Sequence, residues 1–241
     1  MTRAPGVRLA GSVRFGATPL FAEVTLDLVA GGWTCLLGPS GVGKSTALRL
    51  IAGLDTGATF EGEISASDSK ALEGRAAYMA QDDLLLPWLD LRGNVGLGAR
   101  LRGETPDWAR IDAMIDRVGL TDHAAKRPAA LSGGQRQRGA LARTMMENKE
   151  IVLLDEPFSA LDARTRADMQ DLAFATLAGR TVLIVTHDPG EAARLAHRIY
   201  IMENNGLAQV TPPEGAPIRA PDDAAALRFQ ADLLARLRKA A

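Results

Sequence analysis

Three stretches of this chain carry the residue types needed to bind and cleave a phosphate anhydride. The first is Gly38-Pro39-Ser40-Gly41-Val42-Gly43-Lys44-Ser45-Thr46. Glycines spaced this way let backbone N–H groups turn inward onto phosphate oxygens, and the helix that follows points its positive end at the same place. Lys44 reaches the β- and γ-phosphates, the Ser45 hydroxyl is a ligand for Mg²⁺, and Thr46 sits near the α-phosphate. A buried strand before the loop and a helical pattern after it make a chance Gly-rich turn a poor alternative.

The second stretch is Ile151-Val-Leu-Leu-Asp155-Glu156-Pro157. Two acids ending a run of four aliphatic residues emerge at the carboxyl edge of a sheet, where open α/β folds bind ligands. Neighbouring side chains of an extended strand point opposite ways, so the acids take separate tasks. Asp155 orients Mg²⁺, and Glu156 polarises the water that attacks the γ-phosphate. His187 ends the next buried run, Thr181-Val-Leu-Ile-Val-Thr-His187, where an imidazole can contact the γ-phosphate and sense its loss. His123 and His197 lack such a setting and read as surface residues.

The third stretch, Leu131-Ser132-Gly133-Gly134-Gln135, opens a helix with Ser132 as its N-cap. Two glycines leave N–H groups uncovered, which makes a second anion site. On spacing alone it reads equally as an ordinary capped helix with a flexible entry.

The elements that must position these groups follow from periodicity. Residues 7–15 and 22–28 alternate apolar and polar and read as half-exposed antiparallel strands. Residues 34–37, 151–154 and 181–186 are continuous apolar runs, the pattern of strands buried on both faces, and residues 55–80 alternate Gly-rich turns with short strand-like pieces that finish at 76–80. Residues 44–54, 85–148 and 161–178 have helical spacing, and residues 227–239 form an amphipathic helix expected to pack on the parent domain. The expected fold is α/β: a P-loop core with a parallel sheet, an antiparallel β subdomain and an inserted α-helical subdomain. One domain spans 1–241, with a nucleotide-binding core at 1–84 and 150–206, a helical subdomain at 85–149 and a C-terminal extension at 207–241.

Composition removes several classes. With 28 basic and 29 acidic residues the net charge is −1, which argues against a nucleic-acid binder working by bulk charge. The single cysteine, Cys35, excludes a disulfide framework and a multi-cysteine metal site, and its apolar setting makes it a structural thiol. No apolar run approaches the roughly 18 residues of a membrane span and no signal peptide opens the chain. A cytosolic protein is expected, with any membrane link made through a partner.

Taken together these motifs resemble the nucleotide-binding subunit of an ATP-binding cassette (ABC) transporter, from Phe15 to about Glu191. The resemblance implies an ATP hydrolase using Mg²⁺. It makes Gln81 the Q-loop residue that touches Mg²⁺ and signals to a membrane partner, 159–162 the D-loop at a dimer interface, and 186–188 the switch region. It makes Phe15 the aromatic that stacks on adenine, where Tyr is commoner. It implies a head-to-tail homodimer in which Ser132, Gly133, Gly134 and Gln135 of one copy close over the γ-phosphate held by Lys44 of the other. Gly139 departs from the family's usual larger residue and should cost its helix about 1 kcal/mol relative to Ala.

The apolar run Leu84-Leu-Leu-Pro-Trp88-Leu89 is too apolar for a free loop and reads as a docking surface, with burial of Trp88 as the alternative. Leu86-Pro-Trp88 within it and the 241-residue length resemble importers of the nitrate, sulfonate and taurine group, and 78–81 and 98–104 resemble subunits serving uptake of a thiamine pyrimidine precursor. The implied partners are two transmembrane permease subunits and, through them, a periplasmic solute-binding protein, with this subunit on the cytoplasmic face of a bacterial inner membrane. The alternatives are an exporter ATPase, a soluble ABC ATPase without a transport role, and a module that binds ATP without turning it over.

Overall fold

Strand runs, helix caps and glycine turns divide the chain into regular elements in the computed structural model, which describes residues 3–203 and 206–240; Met1, Thr2, Asn204, Asn205 and Ala241 lie outside the described residues. In order they are β1 (Val7–Phe15), β2 (Thr18–Leu28), β3 (Trp33–Leu37), α1 (Lys44–Ile51), β4 (Thr59–Ala66) and β5 (Ala76–Met79). Then come α2 (Leu91–Val95), α3 (Leu97–Leu101), α4 (Trp108–Arg117), α5 (Gly133–Met146), β6 (Ile151–Asp155) and α6 (Ala163–Thr176). The chain closes with β7 (Thr181–Thr186), α7 (Pro189–Leu195), β8 (Arg198–Glu203), β9 (Gly206–Val210) and α8 (Ala224–Ala240). Two compact units result. One comprises Met1–Tyr78, Lys149–Glu156 and Ala178–Ala241; the other comprises Met79–Asn148 and Pro157–Leu177.

In the first unit, alternation puts Val7, Leu9 and Val13 of β1 and Val24, Leu26 and Leu28 of β2 on one buried face. These strands and β4 form an antiparallel sheet in the order β2-β1-β4. Its apolar face shares a core with Leu36 of β3, Leu48 and Ile51 of α1, Leu153 of β6 and Val185 of β7. The second sheet has the order β5-β6-β7-β3-β8-β9. Every residue of β3, β6 and β7 is buried, as strands covered on both faces require. β3 runs parallel to β7 and β8, β6 runs parallel to β7, and β9 turns back antiparallel on β8 at the edge. The expected α/β architecture is present, with β8 and β9 added to the strands that the sequence announces.

The C-terminal extension is tied to α7. The Arg219 guanidinium donates to the carbonyls of Ala193 (2.8 Å) and Ala196 (3.2 Å), acceptors at the end of α7, and to those of Pro213 (2.8 Å) and Gly215 (2.9 Å) in the extension itself. α8 packs on α7, burying Ala226 and Leu233 while Leu227 and Leu234 stay exposed. The expected packing on the parent domain holds for one face of this helix.

The second unit is helical, and side-chain caps start four of its α-helices: Asp90 for α2, Asp107 for α4, Ser132 for α5 and Asp162 for α6. Its core is spanned by α5, whose Gly139 is buried. A Cβ at Gly139 would lie 2.6 Å from Leu91 Cδ1, and Leu91 is fully buried and cannot swing into solvent. The glycine is therefore where α2 approaches α5 closely, not only a helix weakened by about 1 kcal/mol. Asn94, also fully buried, spends its whole amide on the loop before α2. It accepts from Leu86 N–H at 2.7 Å and donates to the carbonyls of Leu86 (3.2 Å), Leu89 (3.4 Å) and Asp90 (2.9 Å).

This packing decides how Gly139 responds to substitution. Overpacking a full core typically costs about 1–3 kcal/mol, which offsets or exceeds the roughly 1 kcal/mol that alanine adds to a helix. Gly139→Ala is expected to bring no gain in melting temperature, and Gly139→Val a clear loss. A stabilised alanine variant in a thermal melt would show that Leu91 yields freely.

Candidate nucleotide site

The register of the parallel strands sets the site. Leu37 pairs with Thr186, and Asp155 with Val185, so β3, β6 and β7 end at one level. Three chain segments leave that edge together: the loop from Gly38, the pair Asp155 and Glu156, and His187. All belong to the first unit.

The loop is shaped by glycines where no other residue fits. Gly38 has φ 156°, and a Cβ there would meet the Met202 carbonyl oxygen at 2.5 Å. Gly43 caps α1 in the left-handed region at φ 110° and lies against Leu20 and Phe21. Val42 turns into the core, while Ser40 and Gly41 are exposed and Pro39, Ser45 and Thr46 are half-buried. Lys44 is only 6% exposed. Its ammonium donates to the carbonyls of Gly38 (2.9 Å) and Pro39 (2.8 Å), which hold it inside the loop. Burial pulls its pKa below the ordinary lysine value, while the nearby Glu156 and Asp155 carboxylates pull it up. Phe15 ends β1, where it pairs with Thr18 at the tip of the hairpin, and is exposed. Leu20 and Phe21, five and six residues beyond it, lie against Gly43, so that tip is anchored beside the loop.

Asp155 is the last residue of β6 and is buried. Burial raises its pKa, with Glu156 adding to the effect and a hydrogen bond from the Ser45 hydroxyl and the charge of Lys44 opposing it. Its Oδ1 is buried and finds no partner among the described residues. A buried carboxylate oxygen left over beside a serine hydroxyl fits a hard cation held by oxygen ligands, so Ser45 and Asp155 suit Mg²⁺.

Glu156 departs from the expected geometry. It is not extended but has φ 47°, in the left-handed region that costs a non-glycine residue roughly 1–2 kcal/mol. Its N–H donates to the Val185 carbonyl at 2.9 Å, and its Oε2 lies 3.2 Å from His187 Nδ1. The different settings of the two acids thus come from a turn after the strand, not from strand alternation. His187 lies just beyond β7 and is mostly exposed.

Gln81, His123 and the Ser132–Gln135 turn lie on the second unit. Gln81 is exposed in the loop after β5. Ser132 is the N-cap of α5 and forms a capping box with Gln135: Ser132 Oγ accepts from Gln135 N–H (3.2 Å) and Gln135 Oε1 from Ser132 N–H (2.8 Å). Ser132 and Gly133 are exposed, while Gly134 and Gln135 are half-buried. The turn is braced from several sides. Arg136 bonds the Asp83 carboxylate (2.8 Å) and the Leu131 carbonyl (2.8 Å). Buried Gln137 donates to Ser159 Oγ (3.1 Å) and accepts from Ala160 N–H (2.7 Å). These braces escaped the sequence, which marks the helix start at Ser132 but not the partners of Arg136 and Gln137. His123 was also undervalued: its Nε2 lies 2.9 Å from the Gln135 amide nitrogen. His197 is exposed as expected, yet its Nδ1 accepts from Trp33 N–H at 3.0 Å and holds the start of β3. Cys35 is fully buried, and burial raises its thiol pKa, as a structural thiol requires.

Comparison with known proteins fits this geometry. The family model described as ABC transporter matches residues 21–159, more than half of the chain. An uncharacterised ABC transporter ATP-binding protein of Haemophilus influenzae is 42% identical over 235 residues, covering 94% of this chain and 95% of that protein. Aliphatic sulfonates import ATP-binding proteins are similar at 42% in Pseudomonas aeruginosa (93% of this chain, 81% of that protein) and 39% in Delftia acidovorans (97% and 95%). The ATP-binding cassette MJ0796, solved as a post-hydrolysis dimer bound to ADP and phosphate, superposes with a TM-score of 0.75 at 28% identity, over 87% of this chain and 100% of that one. With its loop, acids and histidine gathered on one sheet edge, the chain belongs to the ABC transporter family as an ATP-binding subunit.

Proposed function

We propose that this protein is the ATP-hydrolysing subunit of an ABC importer, acting as a head-to-tail homodimer. The observation that carries the chemistry is the meeting of Lys44, Asp155, Glu156 and His187 at one sheet edge, with Glu156 and His187 3.2 Å apart. Lys44 and the loop N–H groups bind the β- and γ-phosphates. Ser45, Asp155 and Gln81 are the residues to hold Mg²⁺, which when bound neutralises charge on the β- and γ-phosphate oxygens. Glu156 accepts the proton of the attacking water, and His187 holds the Glu156 carboxylate and reaches the γ-phosphate. Phe15 offers its exposed ring to adenine. Ser132, Gly133, Gly134 and Gln135 of the second copy close over the γ-phosphate with the exposed start of α5.

The transport half of the reading rests on the 84–89 loop and on the importer relatives. Leu84 is 60% and Trp88 66% exposed, so the alternative of a buried Trp88 is set aside. An exposed tryptophan on a loop that Asn94 fixes at four backbone atoms is a rigid apolar contact surface. It borders a cleft of about 460 Å³ lined by Trp88, Arg92, Arg100, Trp108 and Arg127, with Arg92 stacked 4.4 Å over Trp108. We assign this face to a permease subunit. No helix among the described residues is long and apolar enough to cross a membrane, so the membrane path belongs to that partner. Relatives named for aliphatic sulfonates favour a small organic anion as cargo, and import on the cytoplasmic face of an inner membrane, supplied by a periplasmic binding protein.

Three measurements bear on this function. Glu156→Gln should lower kcat by roughly 10²–10⁴-fold and leave an ATP-bound dimer on size-exclusion chromatography; unchanged turnover would remove Glu156 as the base. Asp155→Asn should raise the melting temperature of the metal-free protein at neutral pH and abolish its stabilisation by Mg-ATP. The sign follows from the raised carboxyl pKa: the folded state holds the proton more tightly than the unfolded chain, so this group's contribution is favourable at low pH and lost as pH rises. Trp88→Glu should leave ATP hydrolysis by the isolated chain intact and abolish co-purification with co-expressed permease subunits. A complex that survives that change would point to a different docking face.

A further inference from the structure

The capping box at the start of α5 has a third member. Gln135 uses Oε1 to accept from Ser132 N–H at 2.8 Å, and this fixes which way its amide faces. The opposite orientation would set the amide NH₂ against the Ser132 N–H, donor against donor. With Oε1 committed there, Nε2 must be the atom that faces His123, and it can only donate. His123 Nε2, 2.9 Å away, therefore accepts, and the ring proton resides on Nδ1. Nδ1 is buried and finds no acceptor among the described residues. His123 itself is held in a single 3-10 turn, Thr121–His123, whose Thr121 hydroxyl bonds Asp116 at 2.8 Å. The ring thus meets Gln135 from a braced element of the same unit.

We propose that His123 is a positioning residue for the Ser132–Gln135 turn. As a hydrogen-bond acceptor it locks the Gln135 amide, Gln135 caps the Ser132 N–H, and the Ser132 hydroxyl and glycine N–H groups are held ready for a phosphate on the other copy. The chain of bonds runs His123 Nε2, Gln135 amide, Ser132 backbone. A donor in place of the imidazole acceptor would oppose the amide NH₂ and favour turning it over, which breaks the capping box. This inference rests on the reading of Ser132–Gln135 as the group that closes over a partner-bound γ-phosphate.

The test compares the full chain with H123A, H123K and H123Q in Mg-ATP hydrolysis, together with binding of a fluorescent ATP analogue to the monomer. Lysine offers only donors, whereas glutamine can place an amide oxygen near the position of Nε2. Loss of one positioning hydrogen bond should lower kcat roughly tenfold in H123A and H123K. KM and monomer affinity, set by the Lys44 loop, should stay within about twofold, and H123Q should recover most of the turnover. Wild-type turnover in H123K, or H123Q falling as far as H123A, overturns the proposal. A parallel S132R variant separates the two levels of the argument. Lost turnover in S132R with intact H123K removes only the role of His123. Full turnover in S132R removes the reading of Ser132–Gln135 as the group that closes over a partner-bound γ-phosphate, and the proposal with it.

Discussion

Parallel pairing in register is the constraint on which the rest of this protein depends. Because β3, β6 and β7 run the same way and end at one level, the phosphate loop, the two acids and the switch histidine leave the sheet side by side. None of these groups is brought to the site by a long loop. Their positions are inherited from backbone hydrogen bonds in a layer where every side chain is buried, and burial makes a slip costly. Strain is then confined to the last residue: Glu156 turns into the left-handed region while its N–H stays bonded to Val185, so a strained side-chain direction is held by an unstrained strand end.

Much of this was legible in the sequence because it is written in local pattern. Uninterrupted apolar runs announced β3, β6 and β7, alternation announced β1 and β2, and glycine spacing announced the loop. β8 was missed although Ile199, Tyr200, Ile201 and Met202 are all buried, because a short strand after a helix carries no motif to mark it. β9 was missed because Gly206–Val210 is half-buried and lies in a segment read as the start of the tail. Side-chain pairings between distant residues were beyond reach for a different reason. That Gly139 faces Leu91, or that His123 meets Gln135, depends on how helices of the second unit approach one another, which no single window of sequence encodes.

The two units spend polar side chains differently. In the first, the polar groups at the sheet edge are left with work to do: Asp155 keeps a buried oxygen with no partner among the described residues, and the Lys44 ammonium donates to carbonyls of its own loop. Such groups exchange one set of partners for another when phosphate arrives, with little side-chain freedom left to lose. In the second, arginine and amide side chains are consumed in bracing. Arg136, Gln137 and Arg143 reach from α5 to Asp83, Leu84, Ser159 and Ala160, so the start of that helix is fixed to loops on both sides of it. The first arrangement suits a binding pocket, the second a rigid surface presented to another molecule.

Asn94 gives this surface an unexpected property. One buried amide bonds the backbone of Leu86, Leu89 and Asp90, so the fold of that loop is held from beneath and not by the exposed side chain of Trp88. Trp88 can therefore drift in evolution without disturbing the helices beneath. Lineages that keep the asparagine can rewrite this exposed face, one surface residue at a time, on a backbone that stays the same.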